Sequence, residues 1–346
     1  MPGSRPTVAI TGATGFIGRA VVRAFAANGA WDVRALVRQD APDLTGEVTA
    51  AGFNLSAGHA AVSSHVVGDL REPSDLPRAL TGVDVLVHAA ARAHVLSNTA
   101  GDPDAAFHAA NVQASVSLAE AARAVGVRRL IFLSSIGVHG DATARDTAIT
   151  EQSPFSPLTA YTRSKLAAER ALEALANETG IELIVLRLPL VYGASDRANG
   201  SDVPGNLARL IAAVARGVPL PVAAIDNRRT LLDRAHLADA VVRCAEAREG
   251  HPITNRAFVI ADAEDVSTPG LVRAIGEGLG RPSRSWPLSP TLLRTGLAFV
   301  GRAAIARQLT GSLRVDPSAF VAAVDWKPQR APLAAIAAAT ATCRKG

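Results

Sequence analysis

The stretch Thr-Gly-Ala-Thr-Gly-Phe-Ile-Gly at residues 11–18 decides the fold of this chain. A short apolar run, residues 8–10, precedes it, and a segment with helical spacing follows it. In such a turn Gly12 permits the tight bend, Gly15 lets a pyrophosphate approach the backbone, and Gly18 lets helix and strand pack closely. The free N–H groups at the start of the helix then favour phosphate. Strand, glycine-rich turn and helix in this order predict a dinucleotide-binding unit.

Strands and helices alternate along the first half of the chain. The later strands are predicted at residues 33–37, 66–67, 84–88, 129–134 and 183–188, and the helices at 16–27, 111–125 and 161–176. Nearly every strand position is apolar, which indicates a parallel sheet covered by helices on both faces. We therefore predict an α/β fold with a Rossmann-type, doubly wound parallel sheet.

The alternation weakens after Gly193, where proline and glycine become frequent. Helical spacing returns at residues 207–216, 235–247 and 267–279, without intervening apolar strands of similar length. We expect an NAD(P)-binding Rossmann domain at residues 1–190 and a smaller substrate-binding lobe at residues 191–346. The boundary is soft, because such a lobe borrows segments from both halves of the chain.

Composition excludes several classes of protein. The 346 residues are 48% hydrophobic and 19% charged, which is typical of a packed globule. The formal charge of +5 comes from scattered arginines without interleaved aromatics, so nucleic acid is not expected as a partner. Cys244 and Cys343 lie far apart, so we expect no disulfide scaffold, no metal site and a reducing, cytoplasmic location.

No segment of the sequence predicts targeting to or insertion into a membrane. Residues 1–7 are too short and polar for a signal peptide. The most apolar late stretch, residues 292–309, is interrupted by Arg294, Arg302 and Arg307. It is therefore shorter than a membrane span requires.

The end of the second strand bears on the choice of cofactor. An acidic residue there binds the ribose hydroxyls of NAD, whereas an arginine suits the 2′-phosphate of NADP. Arg38 stands at this position and favours NADP(H), while Asp40 leaves NAD(H) open. An ordinary surface role for Arg38 also stays open. After the third strand, Asp69 can accept from the adenine amino group and Leu70 can give an apolar contact.

Tyr161 and Lys165 are four residues apart on one predicted helix and therefore share a face. A nearby ammonium and a positively charged nicotinamide favour the phenolate, so we expect a lowered pKa for Tyr161 and acid–base chemistry. Ser135, at the end of the fifth strand, can orient the reacting oxygen. Asn111 can hold a structural water or the region of Lys165. His88 is expected to be a hydrogen-bonded strand-end histidine rather than an acid or base.

The chain resembles the extended short-chain dehydrogenase/reductases, the NAD-dependent epimerase/dehydratase family. The resemblance rests on residues 11–18, 88–90, 111–112, 134–135, 161–165 and 187–193. The stretches at 90–94, 134–140, 227–231, 310–316 and 325–328 look closest to bacterial nucleotide-sugar 4-epimerases and 4-ketoreductases of polysaccharide biosynthesis. The likeness also implies a homodimer, formed through the helices at 111–125 and 161–176.

The resemblance completes the set of site residues that we predict. Ser135, Tyr161 and Lys165 are the catalytic residues. The cofactor-binding residues are Gly12, Thr14, Gly15, Phe16, Ile17, Gly18, Arg38, Asp69, Leu70, Ala89, Ala90, Asn111, Ser134, Tyr161, Lys165, Leu188 and Pro189. The substrate-binding residues are Arg92, Ser135, Asn206 and Arg229, with His94 also facing the sugar and Arg229 binding the diphosphate.

The sequence departs from the family pattern at His139, where a tyrosine is usual, and at Leu190, in an area where an asparagine is common. We expect an NAD(P)-dependent oxidoreductase that acts at C4 of a nucleotide sugar, with Tyr161 as acid and base. An epimerase keeps its NAD, whereas a reductase consumes external hydride, so Arg38 favours the 4-ketoreductase. Two alternatives stay open: an NADPH-dependent reductase of a small non-sugar or steroid-like carbonyl, and an NADP-binding redox sensor without turnover.

Overall fold

The computed structural model describes residues 5–39, 61–71, 75–93, 102–194, 205–328 and 330–342, without the side chains at 205, 206 and 304. Within these residues, its strands are β1 (Thr7–Thr11), β2 (Asp32–Val37), β3 (Val62–Val66), β4 (Val85–His88), β5 (Arg129–Ser135), β6 (Glu182–Leu188), β7 (Leu190–Tyr192), β8 (Arg229–Asp233), β9 (Arg256–Val259) and β10 (Asp265–Val266). The main sheet has the order β3-β2-β1-β4-β5-β6-β9, with every pairing parallel. The predicted doubly wound Rossmann-type sheet is confirmed.

Helices cover both faces of this sheet. In the described part of the chain they are α1 (Phe16–Asn28), α2 (Leu76–Leu80), α3 (Pro103–His108), α4 (Ala114–Ala124), α5 (Ala160–Thr179), α6 (Gly205–Ala215), α7 (Arg234–Glu246), α8 (Thr268–Gly278), α9 (Pro290–Phe299), α10 (Ala303–Thr310), α11 (Ser318–Val324) and α12 (Pro332–Thr342). A π-helical turn (Ala109–Gln113) joins α3 to α4, and a 3₁₀ turn (Ile136–His139) follows β5.

Alternate residues of each strand point to opposite faces and build two cores. Val8 and Ile10 of β1 pack with α1 and α7 on one face, whereas Ala9 packs with α4 and α5 on the other. All three residues are fully buried. This two-sided burial explains why the interior positions of β1, β4, β5 and β6 are apolar, with polar residues only towards the strand ends.

The third strand was placed wrongly from the sequence. We expected it at residues 66–67, but β3 spans Val62–Val66 and pairs with β2 only. It lies at an edge of the sheet and is only partly buried, so Ser63, Ser64 and His65 are tolerated inside it. These polar residues removed the continuous apolar pattern that identified the other strands.

Segments beyond residue 191 contribute to the main sheet as well as to a smaller body. β9 pairs with β6, and Phe320 and Trp326, both fully buried, belong to the core on the α1 face. A second sheet has the order β10-β8-β7, and it packs with α6, α8 and α12 around a separate core. The division at residue 190 stays a prediction.

Candidate active site

The glycine-rich turn between β1 and α1 requires its glycines for space. Gly12 has a φ of +67°, and a Cβ added there would lie 2.7 Å from the Ala90 nitrogen. A Cβ at Gly18 would lie 2.0 Å from the carbonyl oxygen of Gly12. No side chain caps the first turn of α1, which begins after Gly15. Its N–H groups therefore remain available for a phosphate, as P-loop-like turns require.

Arg234, at the start of α7, lies beside this turn and was not predicted from the sequence. Its guanidinium carbon is 4.8 Å from the centre of the Phe16 ring, and its Nη1 approaches the Phe16 carbonyl oxygen at 3.5 Å. Gly193 leaves room for it, because a Cβ there would be 2.6 Å from Arg234 Cγ. More than 200 residues separate the two segments. No local spacing could have shown that they meet.

Arg38 and Asp69 lie at the carboxyl ends of β2 and β3, where an adenosine is expected. Arg38 is exposed, and its charge helps to lower the pKa of Asp69. The first cause of that shift is a hydrogen bond from the Arg71 side chain, and the pKa of Asp69 falls to about 2. The Asp69 carboxylate forms an ion pair with Arg71, a second cation that sequence reasoning missed. Leu70 lies between them, half-buried.

His88 connects β1 to the π-helical turn by a directed chain of hydrogen bonds. The Ala90 N–H donates to Thr11 Oγ1 at 3.2 Å, and Thr11 Oγ1 is 2.7 Å from His88 Nδ1. On the other side, His88 Nε2 is 2.9 Å from Ser115 Oγ, which donates its own proton to the Asn111 carbonyl oxygen. Ser115 must therefore accept from an Nε2–H of His88.

The protonation state of His88 follows from these contacts. Nδ1 carries no proton and accepts from the Thr11 hydroxyl, so the imidazole is neutral. Complete burial, reinforced by the charge of Lys165, lowers the pKa of His88 to about 3. The expectation of a structural, hydrogen-bonded His88 agrees with this geometry.

Both the oxygen and the nitrogen of the Asn111 side-chain amide are hydrogen-bonded to other protein groups. Its Oδ1 accepts from the Arg92 N–H at 2.8 Å, and its Nδ2 donates to the Arg92 carbonyl at 3.1 Å and to Ser164 Oγ at 2.9 Å. Ser164 in turn donates to the Tyr161 carbonyl at 2.7 Å. Asn111 thus holds the Arg92 backbone against the start of α5. We predicted cofactor binding for it, and the structure gives its side-chain amide these other partners.

The start of α5 is fixed just before Tyr161. Thr159 and Thr162 form a capping box, with reciprocal hydrogen bonds of 3.1 and 3.0 Å. The Ser135 side chain is close enough to the Tyr161 hydroxyl to affect its pKa, and Phe107 packs edge-on against the Tyr161 ring at 6.2 Å. The predicted pair of Ser135 and Tyr161 is therefore brought together.

Lys165 is buried with no hydrogen-bond acceptor among the described residues. It is 1% exposed, and its Nζ lies 3.9 Å from the centre of the Phe132 ring. Burial lowers its pKa to about 7, against the opposing effect of Glu169. An ammonium with free donors, beside a turn with free N–H groups, fits a dinucleotide with ribose hydroxyls.

We expected a lowered pKa for Tyr161, but the residues of this chain alone do not lower it. Burial raises the pKa of Tyr161 above its ordinary value, and the neighbouring Ser135 side chain opposes this only in part. Lys165 is not among the causes of the shift. The reason is that desolvation disfavours a phenolate, and Lys165 is itself readily deprotonated.

A buried ionic network lies behind Ser135. Arg187 forms an ion pair with Glu169, with Nη2 to Oε2 at 2.8 Å and both side chains 6% exposed. Glu169 also accepts from the Ser134 hydroxyl, and Arg187 Nη1 lies 3.1 Å from His139 Nε2. Ser134 therefore faces this network, although we predicted it to bind cofactor. His139, the departure from the family pattern, is held by the network.

The predicted substrate residues are distributed over three segments. Arg92 lies over the Phe107 ring at 5.5 Å, and Arg229 Nη1 donates to the carbonyls of Gln308 at 2.9 Å and Gly311 at 3.2 Å. Arg229 is thus attached to the C-terminal end of α10. Leu188 and Pro189 are buried at the end of β6. The side chain of Asn206, and Asp40 and His94 entirely, lie outside the described residues.

No metal-binding cluster of His, Cys, Asp or Glu occurs among the described residues. In the same part of the chain, no helix is both long and apolar enough to cross a membrane.

The chain is similar to known proteins along most of its length. The family model described as NAD dependent epimerase/dehydratase family matches residues 8–261. A UDP-glucose 4-epimerase from Vibrio cholerae is 31% identical over 324 residues, covering 93% of this chain and 90% of that protein. A ceramide reductase from Caulobacter vibrioides is 29% identical over 350 residues, covering 96% and 89% of the two chains.

A solved structure shows the same fold at lower identity. The UDP-glucuronic acid 4-epimerase from Bacillus cereus, in complex with UDP-glucuronic acid and NAD, is 19% identical to this chain. The two superpose with a TM-score of 0.75 over 98% of this chain and 99% of the other.

Proposed function

Because the chain belongs to the NAD-dependent epimerase/dehydratase family, an enzyme family that uses NAD(P), we propose that it is a nucleotide-sugar 4-epimerase. The observation that carries the proposal is the group of Tyr161, Ser135 and buried Lys165 beside the glycine-rich turn. The Vibrio cholerae relative, a UDP-glucose 4-epimerase matched over nine-tenths of both chains, supports C4 as the reacting position.

The nicotinamide, when bound, supplies the site for reversible hydride storage. Residues of the glycine-rich turn bind the pyrophosphate through backbone N–H groups, and Arg234 adds positive charge beside them. Lys165 donates its free N–H groups to ribose hydroxyls. The Tyr161 oxygen accepts the C4 hydroxyl proton during oxidation and returns it during reduction, while Ser135 orients the same oxygen.

The raised pKa of Tyr161 makes proton transfer depend on the bound cofactor. A cation beside the phenol favours the phenolate, and the oxidised nicotinamide brings that charge to the site. The site then accepts a proton only when it can also accept a hydride. This coupling suits an enzyme that oxidises and re-reduces one carbon without losing the intermediate.

The choice between epimerase and 4-ketoreductase rests on the cofactor. From Arg38 we favoured NADP(H) and hence the reductase, and Arg71 adds a second cation nearby. Against this, the Asp69 carboxylate is ion-paired with Arg71 and close enough to Arg38 for that charge to lower its pKa, and a carboxylate there disfavours a 2′-phosphate. We therefore propose resident NAD⁺ and place the ketoreductase second.

A first experiment identifies the nucleotide carried by the purified protein and follows UDP-glucose by NMR without added hydride donor. Conversion to UDP-galactose with bound NAD⁺ is the expected result, and Tyr161→Phe is the control that must lose it. Steady consumption of NADPH with a 4-keto nucleotide sugar would establish the reductase instead. Absence of both reactions with UDP-glucose, UDP-glucuronic acid and their N-acetylated analogues would overturn the proposal.

A second candidate function is reduction of a lipid-like carbonyl, favoured by the length of the match to the Caulobacter vibrioides ceramide reductase. Arg229, a cation attached to the end of α10, favours the diphosphate of a nucleotide sugar over an apolar tail. Turnover of a 3-keto sphingoid base with NADPH tests this candidate. A redox sensor without turnover is disfavoured, because it has no use for the Ser135, Tyr161 and Lys165 group.

Two further proposals concern the state of the protein in the cell. We propose a cytoplasmic homodimer whose interface includes α4 and α5. Light scattering coupled to size exclusion measures the mass of the particle directly. A monomer at micromolar concentration would overturn the dimer.

A further inference from the structure

Although the arginines are scattered along the chain, one segment near its C-terminal end contains no acidic residue to balance them. Between Glu277 and Asp316 there is no acidic residue, and the same 38 positions contain six arginines: Arg281, Arg284, Arg294, Arg302, Arg307 and Arg314. Because the whole chain has a formal charge of +5, the other residues together sum to −1. The segment covers the loop before α9, α9 itself and α10.

Helix α9 exposes most of its apolar side chains. Leu293 is its one buried residue, and Leu297, four positions further, packs on the same core. Leu292 and Phe299 are seven positions apart and share a different face, where they are 63% and 94% exposed. Val300, which ends the helix, is 63% exposed. We call Leu292, Phe299 and Val300 the α9 apolar face.

Exposed arginines precede, interrupt and follow this face in the sequence. The side chains of Arg284, Arg294 and Arg302 make no hydrogen bond or ion pair with any described residue, and all three residues are exposed. Arg307 has only a distant partner, Asp141, at 3.7 Å. An aromatic side chain that is almost fully exposed, in a segment that carries arginines and no carboxylate, is unusual for a surface that faces only water.

We propose that the α9 apolar face and its arginines dock the enzyme on an anionic lipid bilayer. The apolar side chains enter the boundary between headgroups and acyl chains, and the guanidinium groups bind lipid phosphates. Charge complementarity selects this partner, since a segment with six arginines and no acidic residue of its own attracts an anionic sheet and repels another copy of itself. The inference does not depend on the proposed function.

The docking surface is connected to the predicted substrate site. α10 packs against α9, and its C-terminal end holds Arg229 through the carbonyls of Gln308 and Gly311. Docking therefore orients the substrate pocket relative to the bilayer. It requires no spanning segment, in keeping with the helices of the described chain.

Vesicle flotation tests the proposal with the full-length protein. We expect binding to phosphatidylcholine vesicles that contain about 30% phosphatidylglycerol, and little binding to pure phosphatidylcholine. The partition coefficient should fall about tenfold or more in Phe299→Ser. It should fall about fivefold for each of Arg294→Ala and Arg302→Ala.

Matched controls separate docking from loss of folding. Leu158→Ser and Arg248→Ala change exposed residues elsewhere and should bind vesicles as the unchanged protein does. All variants should keep their thermal unfolding temperature and their turnover of a soluble substrate.

Three results would overturn the proposal. The first is absence of flotation with anionic vesicles, and the second is equal flotation of Phe299→Ser and the unchanged protein. The third is self-association that Phe299→Ser abolishes while vesicle binding is absent, because the covering partner would then be a second copy.

Discussion

Replacing Lys165 by methionine should stabilise the nucleotide-free protein while removing its ability to bind cofactor. The wild-type ammonium is buried without an acceptor, and its pKa is lowered from 10.5 to about 7. At pH 7 this difference between folded and unfolded states costs on the order of 4 kcal/mol of stability. Methionine has a similar volume and no charge, and it loses only the buried contact of about 2 kcal/mol with Phe132. The net gain should be about 2 kcal/mol.

The sign of the pH dependence gives a sharper test. Below pH 7 the lysine is charged in both states, and its full cost is present. Between pH 7 and 10.5 the unfolded chain holds a proton that the folded chain has released, so wild-type stability rises with pH. The advantage of Lys165→Met should therefore shrink steadily through that window.

Urea unfolding of nucleotide-free protein at pH 7 and pH 9.5 measures both effects. Lys327→Met is the control, since Lys327 is exposed with a side-chain accessibility of 78% and should show neither effect. A Lys165→Met protein that is less stable than wild type at pH 7 would refute the reasoning. Nucleotide affinity, followed by fluorescence titration, should fall in Lys165→Met alone.

Three other substitutions have expected outcomes. Tyr161→Phe should lower turnover by a factor of roughly 10² to 10⁴ and leave NAD⁺ affinity unchanged. Steady-state kinetics measure the turnover and a titration measures the affinity; equal losses of turnover and affinity would contradict the proposed role of Tyr161. Glu169→Gln should cost about 3 kcal/mol of unfolding free energy because it leaves Arg187 buried and unpaired; Arg187→Met in the same chain should recover part of that loss. Gly18→Ala should weaken nucleotide binding at least about tenfold, because its Cβ would meet the Gly12 oxygen, whereas Gly296→Ala, with open space around it, should bind normally.

The sheet could be predicted from the sequence because strands buried on both faces consist of continuous apolar runs. β1, β4, β5 and β6 are central, so their interior positions are apolar, with polar residues only towards the strand ends. β3 and β9 lie at the edges, where partial exposure permits serine, histidine and arginine. β9 was missed for this reason, and also because its partner β6 precedes it by about seventy residues.

The candidate site was predictable where residues lie close in sequence and not where they meet through the fold. Tyr161 and Lys165 share one helix, so their spacing revealed them. Arg234 and Arg71 reach the nucleotide side from other elements, and no pattern marked them. Asn111 and Ser134 were predicted to bind cofactor from their positions in the family pattern. A sequence motif does not show which neighbouring group hydrogen-bonds a polar side chain. In the fold, Asn111 hydrogen-bonds the Arg92 backbone and Ser134 hydrogen-bonds Glu169.

The spacing of Tyr161, Lys165 and Glu169 on α5 has a consequence for how such a protein changes over generations. The proposed acid–base and ribose-binding groups, Tyr161 and Lys165, occupy one helix whose start is fixed by a capping box, whereas the groups expected to contact substrate come from a loop, β8 and the end of α10. Under the proposed function, substitutions or insertions in these outer segments alter what binds and leave the spacing of Tyr161 and Lys165 unchanged. New substrate specificities can therefore arise through substitutions in these outer segments, without a stage at which the reaction itself is lost.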